Sequence, residues 1–344
     1  MTRNCITAPI LHSVITGEYI LALVRRANTL SMAIFNKELK AEKEVVLLNG
    51  SNGFILDASK DKLLLSINNN LLLIKDDNQK IVLKSKRSEN FFWHATRAEN
   101  KVFIQEYGEA PTCIFTSEDL ENWRRLITNM DLDKHSKHFH NITYDPYRKW
   151  LITTLGDGNL TRVTFSEDYG DSWRSLYKGP WQFVPTVPLK DKIVFGMDSG
   201  IAKSGLGIYY PDDDKWEFIF LRWNDERIKH AQFNDLKFLD KGLWIASLGT
   251  PQTIVASKDL RTWYPLFIES FDKEFNHNML LSVEKSIIAC STGKTLLVFD
   301  ENEIENAFTL KPVMVEYKAY WDKLIGYGFL AKHNILAKVR YKKS

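Results

Sequence analysis

The nine residues Phe165-Ser166-Glu167-Asp168-Tyr169-Gly170-Asp171-Ser172-Trp173 constrain this chain more than any other stretch, because their Ser-x-Asp, turn and Trp pattern returns twice. Ser117 and Asp119 are followed by Trp123, and Ser257 and Asp259 by Trp263, each with a turn one residue shorter and no glycine. Ser and Asp side chains accept hydrogen bonds from the backbone N–H groups of a tight turn, and Gly170 takes a positive φ at no steric cost. The Trp then opens the returning strand and packs. These residues therefore predict hairpins and carry structure rather than chemistry.

Further hairpins of apolar strand, polar turn and apolar strand fall at 32–48, 71–84 and 207–220, and a seventh starts at 295–299 and turns through 300–305. The residues before the seven turns, Phe35, Ile74, Phe115, Phe165, Tyr209, Val255 and Val298, are separated by 39 to 50 residues. That period suits a four-stranded unit that buries its faces only against its neighbours. The spacing predicts an all-β chain: a seven-bladed β-propeller with four-stranded antiparallel blades, in a single domain over 1–344. Inner strands are expected at 142–144 and 149–154, and at 238–239 and 243–247, with a rim loop or short helix at 130–137. About 313–344 forms a C-terminal tail: a short helix at 316–325, then alternating Ile335, Ala337, Val339 and Tyr341 as an edge strand that helps close the ring.

At 344 residues and 44% apolar content the chain sustains a buried core, and its net charge of +3 is too even to imply a nucleic-acid partner. Cys5, Cys113 and Cys290 lie far apart without a CxxC, which suggests neither a disulfide framework nor a thiolate zinc site. No apolar run reaches the length of a membrane span, and the first residues lack a signal-peptide pattern. A cytoplasmic protein is expected.

In a propeller the innermost strands start at one mouth of the central channel, and the loops joining second to third strands return there. Strand starts at Trp93-His94, 138–141, Gln182, Gln232-Phe233-Asn234 and Asn276-His277-Asn278 then converge with loops at 107–109, 156–158, 198–200 and 249–250. The expected catalytic residues are His94, His140, His277, Asp157 and Asp198, since imidazoles and carboxylates on one concave face serve acid–base work or a metal. Substrate contacts are assigned to Trp93, Glu109, Gln182, Gln232, Asn234 and Asn278, with Trp181 and Trp223 as further stacking candidates.

The three Ser-x-Asp turns resemble the Asp-box (BNR) repeats of the sialidase-like superfamily, whose members include exo-glycosidases, polysaccharide lyases and non-catalytic binding proteins. The resemblance covers three blades and implies a fold. Sialidases use three arginines, an acid–base Asp and a Tyr–Glu pair, usually with an early Arg-Ile-Pro segment. This chain lacks that segment, so sialidase activity is not implied. A weaker, architectural resemblance is to oligogalacturonate lyases, cytoplasmic seven-bladed propellers in which histidines and a glutamine hold a divalent metal beside a uronate. The cofactor expected is either none or, as this resemblance implies, a manganese-like divalent ion, for which His140, His277 and Gln182 are residues of the right type. The expected function is a carbohydrate-active enzyme, a glycoside hydrolase or a lyase. The alternative is a propeller that binds a glycan or protein without chemistry.

Overall fold

The computed structural model describes residues 5–59, 61–76, 78–157, 161–198, 204–225, 231–249, 252–269 and 279–317. After a short β1 (Cys5–Thr7), the strands β2 (Ile10–Thr16), β3 (Tyr19–Arg26), β4 (Thr29–Asn36) and β5 (Ala41–Asn49) make a four-stranded sheet in sequence order. The pattern repeats in β6 (Gly53–Ala58), β7 (Lys62–Ile67), β8 (Asn70–Lys75) and β9 (Asn78–Lys84), and in β10 (Phe91–Ala98), β11 (Lys101–Tyr107), β12 (Cys113–Ser117) and β13 (Arg124–Thr128). Next come the one-turn helix α1 (Asn129–Leu132) and the sheet of β14 (Phe139–Asp145), β15 (Trp150–Leu155), β16 (Thr161–Ser166) and β17 (Arg174–Gly179).

Two further runs of four are β18 (Phe183–Pro188), β19 (Ile193–Met197), β20 (Gly205–Tyr210) and β21 (Lys215–Trp223), then β22 (Phe233–Leu239), β23 (Leu243–Leu248), β24 (Thr253–Ser257) and β25 (Thr262–Ile268). The chain continues through β26 (Leu281–Glu284), β27 (Ile287–Ser291), β28 (Thr295–Phe299), α2 (Glu301–Ala307) and β29 (Met314–Glu316). Every pairing is antiparallel, giving a β-propeller-like all-β fold.

Two closures differ from the sequence expectation. The turn at 300–305 does not lead into a returning strand: Asp300 caps α2, its carboxylate accepting from Glu303 N at 2.9 Å while Glu303 Oε2 accepts from Asp300 N at 3.1 Å. This capping box satisfies donors at the helix start. The fourth strand beside β28 comes instead from the other end of the chain, as β1 pairs Cys5 with Leu297 and Thr7 with Thr295. Six sheets, rather than seven separate ones, are present among the described residues. The reason is β29, which pairs with the outer strands β21 and β25 at once and joins two runs of four into one nine-stranded sheet. Glu316, expected to start a helix, ends β29, and the strand expected at 335–341 lies outside the described residues.

The predicted turns sit between third and fourth strands. Ser166 Oγ accepts from Gly170 N at 2.7 Å, Asp168 Oδ1 accepts from Ser172 N at 2.8 Å, and Trp173 Nε1 donates to Gly170 O at 3.1 Å. In the shorter copies Ser117 accepts from Leu120 N and Ser257 from Leu260 N, both at 2.9 Å. Asp119 and Asp259 each accept two backbone donors at 2.8 Å, and the indoles of Trp123 and Trp263 reach back to Leu120 O and Leu260 O.

Facing sheets pack through apolar clusters. Val194, Leu206, Ile219, Phe233, Trp244 and Trp263, for example, fill the space between the two halves of the nine-stranded sheet. Side chains also stitch neighbouring sheets at their inner strands. Ser66 Oγ accepts from Phe92 N, Gln105 Nε2 donates to Phe139 O, Asn141 Nδ2 donates to Val184 O, and Ser291 Oγ donates to Ile10 O, so the last sheet is tied to the first. No helix of the described residues is long and apolar enough to cross a membrane.

Candidate functional site

Six inner strands carry the same irregularity. Register slips between Ile10 and His12, Ile55 and Asp57, Phe92 and His94, Phe139 and Asn141, Phe183 and Thr186, and Phe233 and Asp235. A bulge leaves its extra residue out of the ladder and re-aims its side chain. The extra residues are Leu11, Leu56, Trp93, His140, Val184 with Pro185, and Asn234. His140 is therefore equivalent to Trp93 and Asn234, while His94 is equivalent to His12, Asn141 and Asp235, one place further on. Aligning His94 with His140 from sequence is thus out by one residue, which in a strand is a change of face.

The equivalence accounts for what each residue does. His12 accepts from Ile55 N, Asn141 bonds Val184 O, and Asp235 accepts from Leu281 N, all of them ties between sheets. His94 sits in that tier, its ring 4.6 Å from that of Trp93 and its backbone N donating to Gln105 Oε1. Burial, helped by the charge of Lys237, pushes its pKa down to about 3, which leaves a neutral ring.

The residues that come together are mainly those of β14 and the loops beside it. Phe139 is clamped by the neighbouring sheet, its N–H donating to Thr112 Oγ1 and its carbonyl accepting from Gln105 Nε2. That clamp fixes the histidines on either side, His138 and His140, each 2% exposed. His140 Nε2 donates to Asp157 Oδ1 and to Gly156 O, both at 3.1 Å. His138 Nδ1 donates to Gly108 O at 2.7 Å, and its Nε2 lies 3.4 Å from Asp157 Oδ1. Lys137 Nζ approaches the other carboxylate oxygen at 3.5 Å. The Tyr107 ring covers both imidazoles, at 4.2 Å from His138 and 5.9 Å from His140.

The electrostatics follow from this crowding. Burial pushes the Asp157 carboxyl up, but its contacts with the two imidazoles outweigh it and hold it well below the carboxylate range. Burial lowers the pKa of His140 despite Asp157. Asp198, half-buried after β19, is raised to about 6 by burial and then by the charge of Asp157. Tyr107 is raised to about 12 by burial, with Asp157, Asp198 and Glu109 adding to it. Asp157, Asp198, Glu109 and Tyr107 therefore share one electrostatic neighbourhood. His138, His140 and Asp157 offer ligand atoms that all lie within 4.8 Å of one another, a group able to hold a metal ion.

The other expected residues divide clearly. Gln182 and Gln232 are half-buried, and their carbonyls accept from Asp198 N and Gly249 N, holding the loop starts. Glu109 is exposed and its backbone is bonded by Asn90. Trp93 is 5% exposed and packs with Phe54, Val184 and Leu280 in a cluster on the inner strands, so its ring offers no open platform. Trp181 and Trp223 belong to apolar clusters between strands. His277 and Asn278 lie outside the described residues. Of the set His140, His277 and Gln182 expected for a metal, His140 belongs, within the described residues, to a group with His138 and Asp157, and His277 lies outside those residues. His138 stands outside the residues expected for the site. Its signal was the alternation His138-Phe139-His140, which places two imidazoles beside one clamped apolar residue at a strand start.

No family model matches the sequence, and no curated protein matches it. Solved structures are similar in fold. The extracellular domain assigned to a one-component system from B. thetaiotaomicron superposes with a TM-score of 0.60 at 8% identity, over 85% of this chain and 38% of that one. A catalytically inactive virginiamycin B lyase from Staphylococcus aureus with quinupristin gives 0.60 at 12% identity, over 87% of this chain and 96% of the other. A puromycin-hydrolysing peptidase from Mycobacterium tuberculosis gives 0.56 at 9%, over 85% and 51%. The chain thus spans about two-fifths of the first of these and half of the third, and at such identities the likeness is one of fold alone.

Proposed function

We propose that this chain is a seven-bladed Asp-box β-propeller whose channel mouth binds a carbohydrate and cleaves it by acid–base chemistry, as a glycoside hydrolase or an oligosaccharide lyase. The count of seven follows when the nine-stranded sheet is read as two blades, β18–β21 and β22–β25, joined at their outer edges by β29. The observation that carries the functional reading is the convergence of Tyr107, His138, His140, Asp157 and Asp198 at one place. Fold likeness to a lyase and a peptidase does not choose a reaction, since one fold hosts many.

In this reading Asp198, half-buried and held towards its neutral form, hands a proton to the leaving oxygen. The histidines and Asp157 hold the sugar or the attacking water opposite it. The three unpaired cysteines suit a reducing, cytoplasmic setting.

The test is a panel of neutral and uronate oligosaccharides, scored for binding and turnover. Asp198→Asn is expected to lower turnover by about 100-fold or more, the usual worth of a positioned proton donor, with binding kept. A wild-type chain that neither binds nor cleaves any member of the panel would overturn the proposal. A second reading, a binding scaffold for a glycan or a protein, is favoured by the apolar cluster of Phe54, Trp93, Val184 and Leu280, which packs inner strands against one another. Tight binding without turnover by the wild type would select it.

A further inference from the structure

We infer that His138, His140 and Asp157 form a site for one divalent transition-metal ion of the zinc class, bound through Nε2 of each imidazole and a carboxylate oxygen. The argument starts from a proton. Gly108 O is a carbonyl and only accepts, so the 2.7 Å contact fixes the proton of His138 on Nδ1. In the neutral ring Nε2 then carries a lone pair. That nitrogen is buried, has no hydrogen-bond partner, and faces an oxygen of Asp157 at 3.4 Å. A lone pair facing a carboxylate oxygen is repelled by it, and a cation between them removes the conflict.

The surroundings are those of a ligand set. A ligating histidine commonly donates its other N–H to a carbonyl, which is what His138 does with Gly108. His140 Nε2 is aimed at the same Asp157 oxygen from 3.1 Å. Ligands on a tetrahedral ion with bonds of about 2.0–2.1 Å stand about 3.3–3.4 Å apart. The two separations to Asp157 approach that edge, and the three atoms together span no more than 4.8 Å. On binding, His140 passes its proton to Nδ1 and frees Nε2, and the ion draws the imidazoles closer. Gly156 O, 3.1 Å from His140 Nε2, adds a further oxygen at the rim. Imidazole and carboxylate together favour first-row transition ions over magnesium or calcium. The rival cation is Lys137, 3.5 Å from Asp157, whose side chain is 50% exposed and free to turn to water.

The inference concerns the mouth assigned above to a sugar, but metal binding is read without turnover, so either can fail alone. The full chain, stripped with a chelator, is titrated with zinc by calorimetry and with cobalt(II) by visible absorption. The expected result is one ion per chain, with no comparable binding of magnesium or calcium. Asp157→Ala, at a side chain 37% exposed, is expected to keep the fold and weaken binding at least tenfold, and His138→Gln to do the same. Circular dichroism of each variant separates loss of ligand from loss of fold. Absence of one-to-one binding by the wild type, or equal affinity in both folded variants, overturns the site. An ion bound by a chain that ignores every oligosaccharide leaves the metal site standing and removes the sugar.

Discussion

Leu120 and Leu260 hold φ values of 68° and 65°, the left-handed conformation that Gly170 supplies at 99° in the longer turn. Such a backbone costs a side chain roughly 1–2 kcal/mol. Both leucines are at most 5% exposed and packed into apolar clusters, and burial of that size offsets the strain. The turn therefore tolerates a leucine where its side chain reaches the core. Its polar bonds are less replaceable. Asp168→Ala, which removes acceptors for Ser172 N and Ser172 Oγ, is expected to lower stability by about 1 kcal/mol in urea unfolding while leaving ligand binding unchanged. Asp198 makes the opposite kind of prediction. Its carboxyl titrates at about 6 in the fold, and near about 4 in an unfolded chain. Between those values the folded chain binds the proton more tightly, so stability falls as pH rises from 4 to 6, and the cost persists above. Asp198→Asn should therefore raise the melting temperature at pH 7.5 and leave it unchanged at pH 4. An equal shift at both pH values would show that ionisation is not the cause.

At the scale of single elements, what could be read from the sequence was local. Ser, Asp and Trp announce the turns because the backbone donors of a tight hairpin dictate those residue types, and the strands around 71–84 and 207–220 lie where the apolar runs put them. The bulge at the start of six inner strands was not legible. It depends on which residue of the second strand sits opposite, and Phe92-Trp93-His94 reads identically with or without it. That single slip moved His94 out of the mouth and hid the kinship of Trp93, His140 and Asn234. Asp300 and Glu303 cap a helix where the blade period led to the expectation of another hairpin. The His138-Phe139-His140 alternation was visible, but only the clamp by Thr112 and Gln105 makes its two imidazoles converge.

At the scale of the whole molecule, closure rests on two three-residue strands, β1 and β29, too short to carry a periodic signal. β1 completes the sheet of β26–β28 from the far end of the chain, and Ser291 and Ser282 bond Ile10 O and Ile15 N beside it. β29 has a different effect. Among the described residues the other four-stranded sheets end in an outer strand that no further strand pairs, whereas β21 and β25 both share β29, with Met314 fully buried opposite Trp223 and Trp263. Opening either run of four alone would break the other's outermost ladder. The strands β20 to β25 should therefore lose amide protection in a single event on native-state hydrogen exchange, while the amides of β5, β9, β13 and β17 exchange independently of one another through fraying of their edges. Met314→Asp would uncouple the pair, letting β21 and β25 exchange at separate rates. In that sense the three residues of β29 set the size of the largest cooperative block in the ring.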